Sequence, residues 1–456
     1  MKLNEAGVTL IDCDHKTPAA QASGYPYVGI PQLKDGHIRL DGARLISEED
    51  FVLWTKKAKP QLNDVILSRR CNPGESAYVP DSLEIALGQN LVLLRSDGSV
   101  IYPPFLRWLV QGNEWWEQVN KFLNVGAVFN SLKCKDIPNF KLTIPSLKEQ
   151  KRITDILSGL DKKIELNNKI NQNLESIAQA IFKSWFIDFE PVRVKIAAKQ
   201  EGSDPELAAM CVIRGKSDSE LEQMVKEDFA ELQATAALFP DELVESELGE
   251  VPKGWTLTLL KDVTTELRRG ISPKYTEEPN GAIVINQKCI RNHTINFSLA
   301  RKHDSSKRKI DGRELQIGDV LVNSTGVGTL GRIASVRYLD SITVVDSHVT
   351  VVRANDKKVS RAYLQGLLLE NEKFIEASGA GTTGQTELRK EVLQEIKFPN
   401  PAVALHQQFD SIIYKINQEI ANLEKMNISL SHVRNTLLPK LLSGELDMLL
   451  LRQEGA

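Results

Sequence analysis

The chain has 456 residues, 41% hydrophobic and 26% charged, which is too long for one ordinary core and too mixed for a disordered or collagenous polymer, so two or three folded domains are expected. No stretch of about eighteen uncharged apolar residues occurs, and Met1-Lys2-Leu3-Asn4-Glu5 leads into no apolar run, so neither a membrane span nor a signal peptide is expected. Net charge is −3, which gives no overall nucleic-acid footprint, but residues 195–250 carry fourteen acidic and five basic side chains, net −9, leaving +6 on the rest.

Residues 1–145 read as a globular, mostly β domain. Short apolar runs (Tyr27-Val28-Gly29-Ile30, Val65-Ile66-Leu67, Leu91-Val92-Leu93-Leu94) alternate with turn signals. One helix is expected from Pro104 to Lys121, opened by Pro103-Pro104.

Residues 146–190 change period. Ile153, Leu157, Leu160, Ile164, Asn167, Asn171, Leu174, Ala178, Ile181 and Trp185 follow alternating steps of four and three, a heptad seam. A helix of about forty residues would span roughly 60 Å, and Pro191 is expected to end it. Residues 191–250 read as an acidic linker with a helical insertion over 206–231.

Residues 251–401 form a second globular domain with strands at Ala282–Ile285, Val320–Val322 and Arg332–Val336 and a helix from Arg361 to Ala377. Residues 402–450 carry a second long helix and tail. Its seam is Phe409, Ile413, Ile416, Ile420, Leu423, Asn427, Leu430, Arg434, Leu437 and Leu441, each 256 residues after its counterpart. Arg434 replaces a small apolar residue, and Pro439 should end or kink the helix near Leu438. Asn171 and Asn427 share a seam position, where a polar residue fixes register.

The globular parts keep the offset: Tyr27-Val28 with Ile283-Val284, His37 with His293, Pro145 with Pro401. Leu62–Leu67 resembles Ile317–Val322 at an offset of 255. Such a long repeat means domain duplication. The expected fold is α+β: two globular domains separated by two long helices that pair as an antiparallel coiled coil, with an internal pseudo-two-fold. Globules some 50–60 Å apart on such helices would span more than one turn of DNA, roughly 35 Å.

The stretch Ala180-Ile181-Phe182-Lys183-Ser184-Trp185-Phe186-Ile187-Asp188-Phe189-Glu190-Pro191 resembles the central region of specificity subunits of type I restriction-modification enzymes. Val251-Pro252-Lys253-Gly254-Trp255 resembles the start of their second recognition domain, and Gly318-Asp319-Val320-Leu321-Val322 its core. Thr383-Gly384-Gln385-Thr386-Glu387-Leu388 and Leu437–Leu446 resemble the segments before and at the end of the second helix. The resemblance implies a non-catalytic DNA-specificity subunit with two target-recognition domains for a bipartite, asymmetric site. It implies double-stranded DNA, two methylation subunits and restriction subunits as partners, in the cytoplasm. S-adenosylmethionine, ATP and Mg would belong to those partners, which carry the adenine methyltransferase and ATP-dependent endonuclease activities; this subunit would bind no cofactor. The rival reading is a coiled-coil interaction scaffold without a DNA role.

Catalytic and metal motifs are weak. Gly326-Val327-Gly328-Thr329-Leu330-Gly331 matches a dinucleotide fingerprint, yet leads into a strand where that fingerprint needs a helix, so a turn is expected. Tyr102-Pro103-Pro104-Phe105 resembles the methyltransferase Asn/Asp-Pro-Pro-aromatic motif, but Tyr lacks the amide or carboxylate that the chemistry needs. The five cysteines, Cys13, Cys71, Cys134, Cys211 and Cys289, are spaced as free thiols.

The candidate DNA contacts in the first domain are Lys34, His37, Arg39, Arg44, Arg69, Arg70 and Asn72. Those in the second lie mainly in the basic run from Lys288 to Arg313: Lys288, Arg291, His293, Lys302, Lys307 and Arg308, with Arg332, Gln385 and Thr386 beyond it. Composition fits a solvated loop as well as a DNA-facing one, since Lys and Arg neutralise phosphates while Arg and Asn also read bases. The resemblance favours the DNA-facing reading.

Overall fold

The computed structural model describes residues 1–14, 16–126, 129–379 and 387–446. Gln385 and Thr386 lie outside the described residues. The chain forms two compact units, one from Met1–Leu166 together with the chain from Met426 onward, the other from Asn167–Lys425. The division cuts both long helices in half.

In the first unit β1 (Val8–Asp12), β2 (Tyr25–Val28), β3 (Leu33–Lys34), β4 (His37–Ile38) and β5 (Arg44–Ile46) precede α1 (Glu48–Thr55). Then come β6 (Val65–Ser68), β7 (Ser76–Tyr78), β8 (Ala86–Leu87) and β9 (Leu91–Ser96). One sheet has the order β1-β9-β6-β7, and a second β5-β2-β8. All four residues of β6 are buried, as an apolar run in a central strand should be. The expected helix from Pro104 is broken into a 3-10 turn at Pro103–Phe105, α2 (Leu106–Leu109) and α3 (Asn113–Phe122). Gly112 stands at the break, where a Cβ would come within 2.5 Å of the Leu442 side chain.

The first long helix, α4 (Leu147–Phe186), has 40 residues. Ser146 and Glu149 cap it reciprocally: Glu149 Oε2 accepts from the Ser146 N–H at 2.9 Å, and Ser146 Oγ from the Glu149 N–H at 3.3 Å. The helix ends earlier than Pro191 would dictate. Phe189 turns left-handed at φ 53°, and Pro191 sits in the first turn of α5 (Glu190–Glu201), where its missing N–H costs nothing.

The helical part of the acidic region is wider than 206–231, running from Glu190 to Ala237, and it has a core of its own. α5, α6 (Pro205–Arg214), α7 (Asp218–Leu221) and α8 (Lys226–Ala237) follow one another, and Ala209, Met210, Leu221, Leu232 and Ala236 form a small core. Lys195, 2% exposed, ties it down by donating to Glu206 Oε1 at 2.7 Å and to the Phe239 carbonyl at 2.8 Å. Phe239 packs edge-on against Trp185 at 5.3 Å.

The second globular domain opens with the hairpin β10 (Leu243–Ser246) and β11 (Gly249–Pro252), then β12 (Thr256–Leu259) and β13 (Thr264–Arg269). β14 (Tyr275–Thr276), β15 (Ala282–Ile285), β16 (Ile290–Arg291), β17 (Thr294–Ile295) and β18 (Arg301–His303) follow. β19 (Val320–Asn323), β20 (Ile333–Ser335), β21 (Thr343–Val345) and β22 (Val349–Ala354) complete the sheets. Their orders are β13-β22-β19-β20 and β14-β18-β15-β21. The first repeats β1-β9-β6-β7 strand for strand, which is the duplication in three dimensions. The expected helix from Arg361 divides into α9 (Arg361–Glu370) and α10 (Glu372–Ala377), where the Asn371 side chain caps the Leu367 carbonyl at 2.8 Å. After α11 (Lys390–Gln394), β23 (Lys397–Asn400) pairs with β12 and leads into α12 (Val403–Leu442), also 40 residues. α12 runs through Pro439, and Gly444 turns left-handed beyond its end.

In each unit the helix halves run in opposite directions. In the first, Ile153 and Leu157 share a core with Leu441, Leu437 and Leu442, while Asp161 meets Arg434. In the second, Phe182, Trp185 and Phe186 pack on Phe409 and Ile413. Along the seams Ile153, Leu157, Asn171, Phe409, Ile413 and Ile420 are buried. Leu160, Ile164, Leu174, Ile181, Ile416, Asn427, Leu430 and Leu437 are half-buried.

Candidate nucleic-acid interface

Each globular domain is braced by the same ion pair, its carboxylate buried. Asp64, beside β6, accepts from Arg95 Nε at 2.8 Å and Nη2 at 2.7 Å, and from the Gln61 N–H at 2.8 Å. Asp319, beside β19, accepts from Arg353 at 2.6 and 2.7 Å and from the Gln316 N–H at 2.7 Å. The Asn-Asp-Val and Gly-Asp-Val stretches of the repeat therefore supply a bidentate clamp inside the domain, the geometry at which Arg–carboxylate pairs are strongest.

Beyond each clamp a hairpin loop meets the segment that leads back to a long helix. The Leu132 N–H donates to the Arg69 carbonyl at 2.9 Å, and the Leu388 N–H to the Ser324 carbonyl at 2.8 Å. The glycine-rich run occupies the second of these loops as a turn: Gly326, Gly328 and Gly331 have φ of 102, 71 and 84°, and the chain continues into β20. Arg332 holds the turn by donating to the Gly328 carbonyl at 2.6 Å. No helix N-terminus is presented for a dinucleotide. Tyr102–Phe105 is likewise structural, with the Tyr102 N–H donating to Gln150 and Phe105 buried. Among the described residues no group of three His, Cys, Asp or Glu is placed to hold a metal ion, and all five cysteines are free thiols.

The candidates of the first domain are dispersed. Lys34, Arg39, Arg44 and Arg70 are exposed. Arg44 also donates to the Pro18 carbonyl at 2.9 Å, and Asn72 to Glu75 at 3.3 Å. Arg69 is half-buried against Asp12 at 3.8 Å. His37 turns to the long helices instead, with Nε2 3.4 Å from Asp161.

The basic run of the second domain folds into a braced face. His303 is its fully buried node: Nδ1 accepts from the Lys274 N–H at 2.9 Å, and Nε2–H donates to the Arg308 carbonyl at 2.8 Å. Arg308 reaches the Ser272 carbonyl at 3.0 Å, Arg313 the Arg269 carbonyl at 3.2 Å, and Lys302 the Pro279 carbonyl at 3.0 Å. Arg301 stacks over Tyr275 at 3.4 Å. Lys307 pairs with Asp304 at 3.2 Å, and that carboxyl is held down to about 2 by Ser306 and Lys307. Backbone carbonyls take only part of each cation's hydrogen-bonding capacity, which leaves charge facing solvent. Lys288 and Arg291 are exposed on the adjoining β16 region.

His293 departs from this face. It lies in the β16–β17 turn with Asn292, both left-handed, and its Nε2 is 2.8 Å from Glu372. The corresponding turn of the first domain is Asp35-Gly36, so His293 stands where Gly36 does and is not the structural partner of His37. The two hairpins are offset by 257, one more than the seams.

Two further groups of charged side chains stand beside the candidate face or under it. Arg268, Arg269 and Lys274 adjoin the basic face; Arg269 also binds Glu387 at 2.5 Å and the Leu388 carbonyl at 2.9 Å. Their signal was the dipeptide Arg268-Arg269 before a Gly, outside the denser run. The others are buried ions joining each globule to the helices. Arg107 binds Asp161, which Arg434 also reaches at 2.7 Å. Burial would raise the Asp161 carboxyl, but His37, Arg107 and Arg434 outweigh it and hold it below the usual carboxylate range. Arg434, read as a weak seam position, is apt there because it answers a charge on the facing helix.

The family description "Type I restriction modification DNA specificity domain" matches twice, over residues 12–176 and 252–430. The chain is 29% identical over 409 residues to the Type I restriction enzyme HindI specificity subunit of Haemophilus influenzae, covering 84% of this chain and 86% of that one. It is 25% identical over 413 residues to the MjaIX specificity subunit of Methanocaldococcus jannaschii, covering 89% and 82%. A crystal structure of the S subunit of a type I restriction-modification system from M. genitalium aligns at a TM-score of 0.46 and 15% identity, covering 96% of each chain. The chain belongs to the type I restriction modification DNA specificity family and is a specificity subunit, the part of such a complex that recognises DNA sequence and is itself non-catalytic.

Proposed function

We propose that each unit reads one half of a split, asymmetric duplex site, and that the long helices set the spacer between the halves. The observation that carries this reading is one strand order repeated in two domains with different faces. The braced cations from Arg268 to Arg313 have no counterpart of that density in the first domain. Phosphate contacts fix register while loop side chains choose bases, so two unlike loop sets read two unlike half-sites.

The helices also offer docking surface for two methylation subunits, which restriction subunits join. Ile177, Tyr414 and Ile428 are 49, 58 and 53% exposed on α4 and α12, and apolar side chains outside a helix seam favour a protein partner. Those partners bind S-adenosylmethionine, ATP and Mg and carry out adenine methylation and ATP-dependent cleavage. Free thiols fit action in the cytoplasm. Methylome sequencing of cells with and without the gene tests the reading. The expected result is one bipartite asymmetric methylated sequence that vanishes on deletion; an uninterrupted or unchanged methylated sequence contradicts it.

A further inference from the structure

Arg337 leaves the second recognition domain just after β20 and is only 3% exposed. Its Nη2 meets Glu175 of α4 at 2.8 Å, its Nη1 meets Glu424 of α12 at 3.3 Å, and its Nε lies 3.4 Å from Asn417 Oδ1. One guanidinium from the globule thus engages both long helices. On the same side, His293 and the Ile333 N–H bind the two oxygens of Glu372 at 2.8 and 3.1 Å. Phe182, Phe409 and Ile413 are buried in the core beside these groups, so the ionic contact stands at the edge of apolar packing.

Apolar contacts tolerate sliding, whereas a planar guanidinium bonded to two fixed carboxylates does not. One residue of slip moves a helix by about 1.5 Å and turns it by about 100°, which would carry Glu175 or Glu424 out of reach. The first unit solves the same problem with a different set of charges: Asp161 of α4, whose counterpart at the 256-residue offset is Asn417, is gripped by Arg107 of the globule and by Arg434 of α12.

We propose that Arg337 is a positioning residue for DNA reading: by bridging Glu175 and Glu424 it fixes the second recognition domain on the helix pair, and discrimination of spacer length depends on it. The proposal rests on the split-site reading above.

The test uses the assembled complex with its methylation partners. Initial methylation rates are compared on duplexes with the natural spacer and with one base pair added or removed. Arg337→Met is measured alone and together with Glu175→Gln and Glu424→Gln, a combination that leaves neither helix with an unpaired buried carboxylate. The triple variant is expected to lose about tenfold of the wild-type preference while its rate on the natural site changes little. Arg337→Lys, which keeps the charge without the fork, should restore part of that preference. Unchanged preference in the triple variant overturns the proposal, as does an equal fall on all three duplexes, the mark of a merely structural role. A wild-type complex indifferent to spacer length overturns the split-site reading itself, and the proposal with it.

Discussion

At the residue scale, the clamps show what a buried ion pair contributes. Asp319 is 1% exposed and chelated, so removing Arg353 strands a charge in the core. Arg353→Ala is expected to cost the second unit about 3 kcal/mol. Asp356→Ala breaks the open pair with Arg361, 47 and 56% exposed, and should cost no more than about 1 kcal/mol. Denaturant unfolding followed by a reporter in the second unit separates the two. Salt response checks the basic face. If Lys288 and Lys307 each neutralise a phosphate, removing either lowers the slope of log affinity against log salt by about one without altering the preferred sequence; an unchanged slope removes them from the interface.

The anchors of the two units respond to pH in opposite senses. His293 is raised above its ordinary 6.5 by the hydrogen bond to Glu372, against the opposing effect of burial, and burial raises Glu424. A group raised in the folded state adds stability that is complete below its unfolded pKa and is lost as pH rises through the folded one. Asp161 is lowered, so its contribution is present above the unfolded pKa and is lost only in acid. Raising pH from about 6 to about 8 should therefore weaken the His293–Glu372 anchor of the second unit but not the Asp161 anchor of the first, while buried His406, lowered to about 4, acts in the opposite sense elsewhere in the second unit. Hydrogen exchange in each unit checks this, and Glu372→Gln should flatten the response of the second. Equal pH dependence of exchange around the two anchors would refute the assignment.

At the scale of elements, the long helices were legible because their seams repeat every seven residues, a period that side-chain burial imposes. Their ends were less so: Phe189, left-handed without being glycine, stops the run two residues before Pro191. The helices at Pro104 and Arg361 broke at Gly112 and Asn371 because neighbouring side chains and caps, not periodicity, decide such corners. Asn171 is buried on the seam, and its side-chain oxygen finds no hydrogen-bond partner among the described residues. Asn171→Leu is expected to raise stability by about 1 kcal/mol while loosening register. A higher unfolding midpoint with slower methylation at the natural spacer would match this; a lower midpoint would show that the amide is fully satisfied.

At the scale of the molecule, duplication was visible as an offset between seams, and the repeated sheet order gives it physical content. What the sequence concealed was which cations serve which purpose. Arg107 and Arg337 look like surface charges in one dimension, yet they are the buried joints between globule and helix, and Arg434 joins the two helices at Asp161. His37 and His293, read with the DNA-facing cations, face carboxylates at those same joints. Composition records how many charges a segment holds, not which way they turn. The central claim is that the two domains read DNA separately. It is tested most directly by replacing residues 251–401 with the matching domain of a homologous subunit of different specificity and sequencing the methylome. The account predicts that one half of the methylated sequence changes while the other half and the spacer stay as they were. A change in both halves, or in neither, would contradict it.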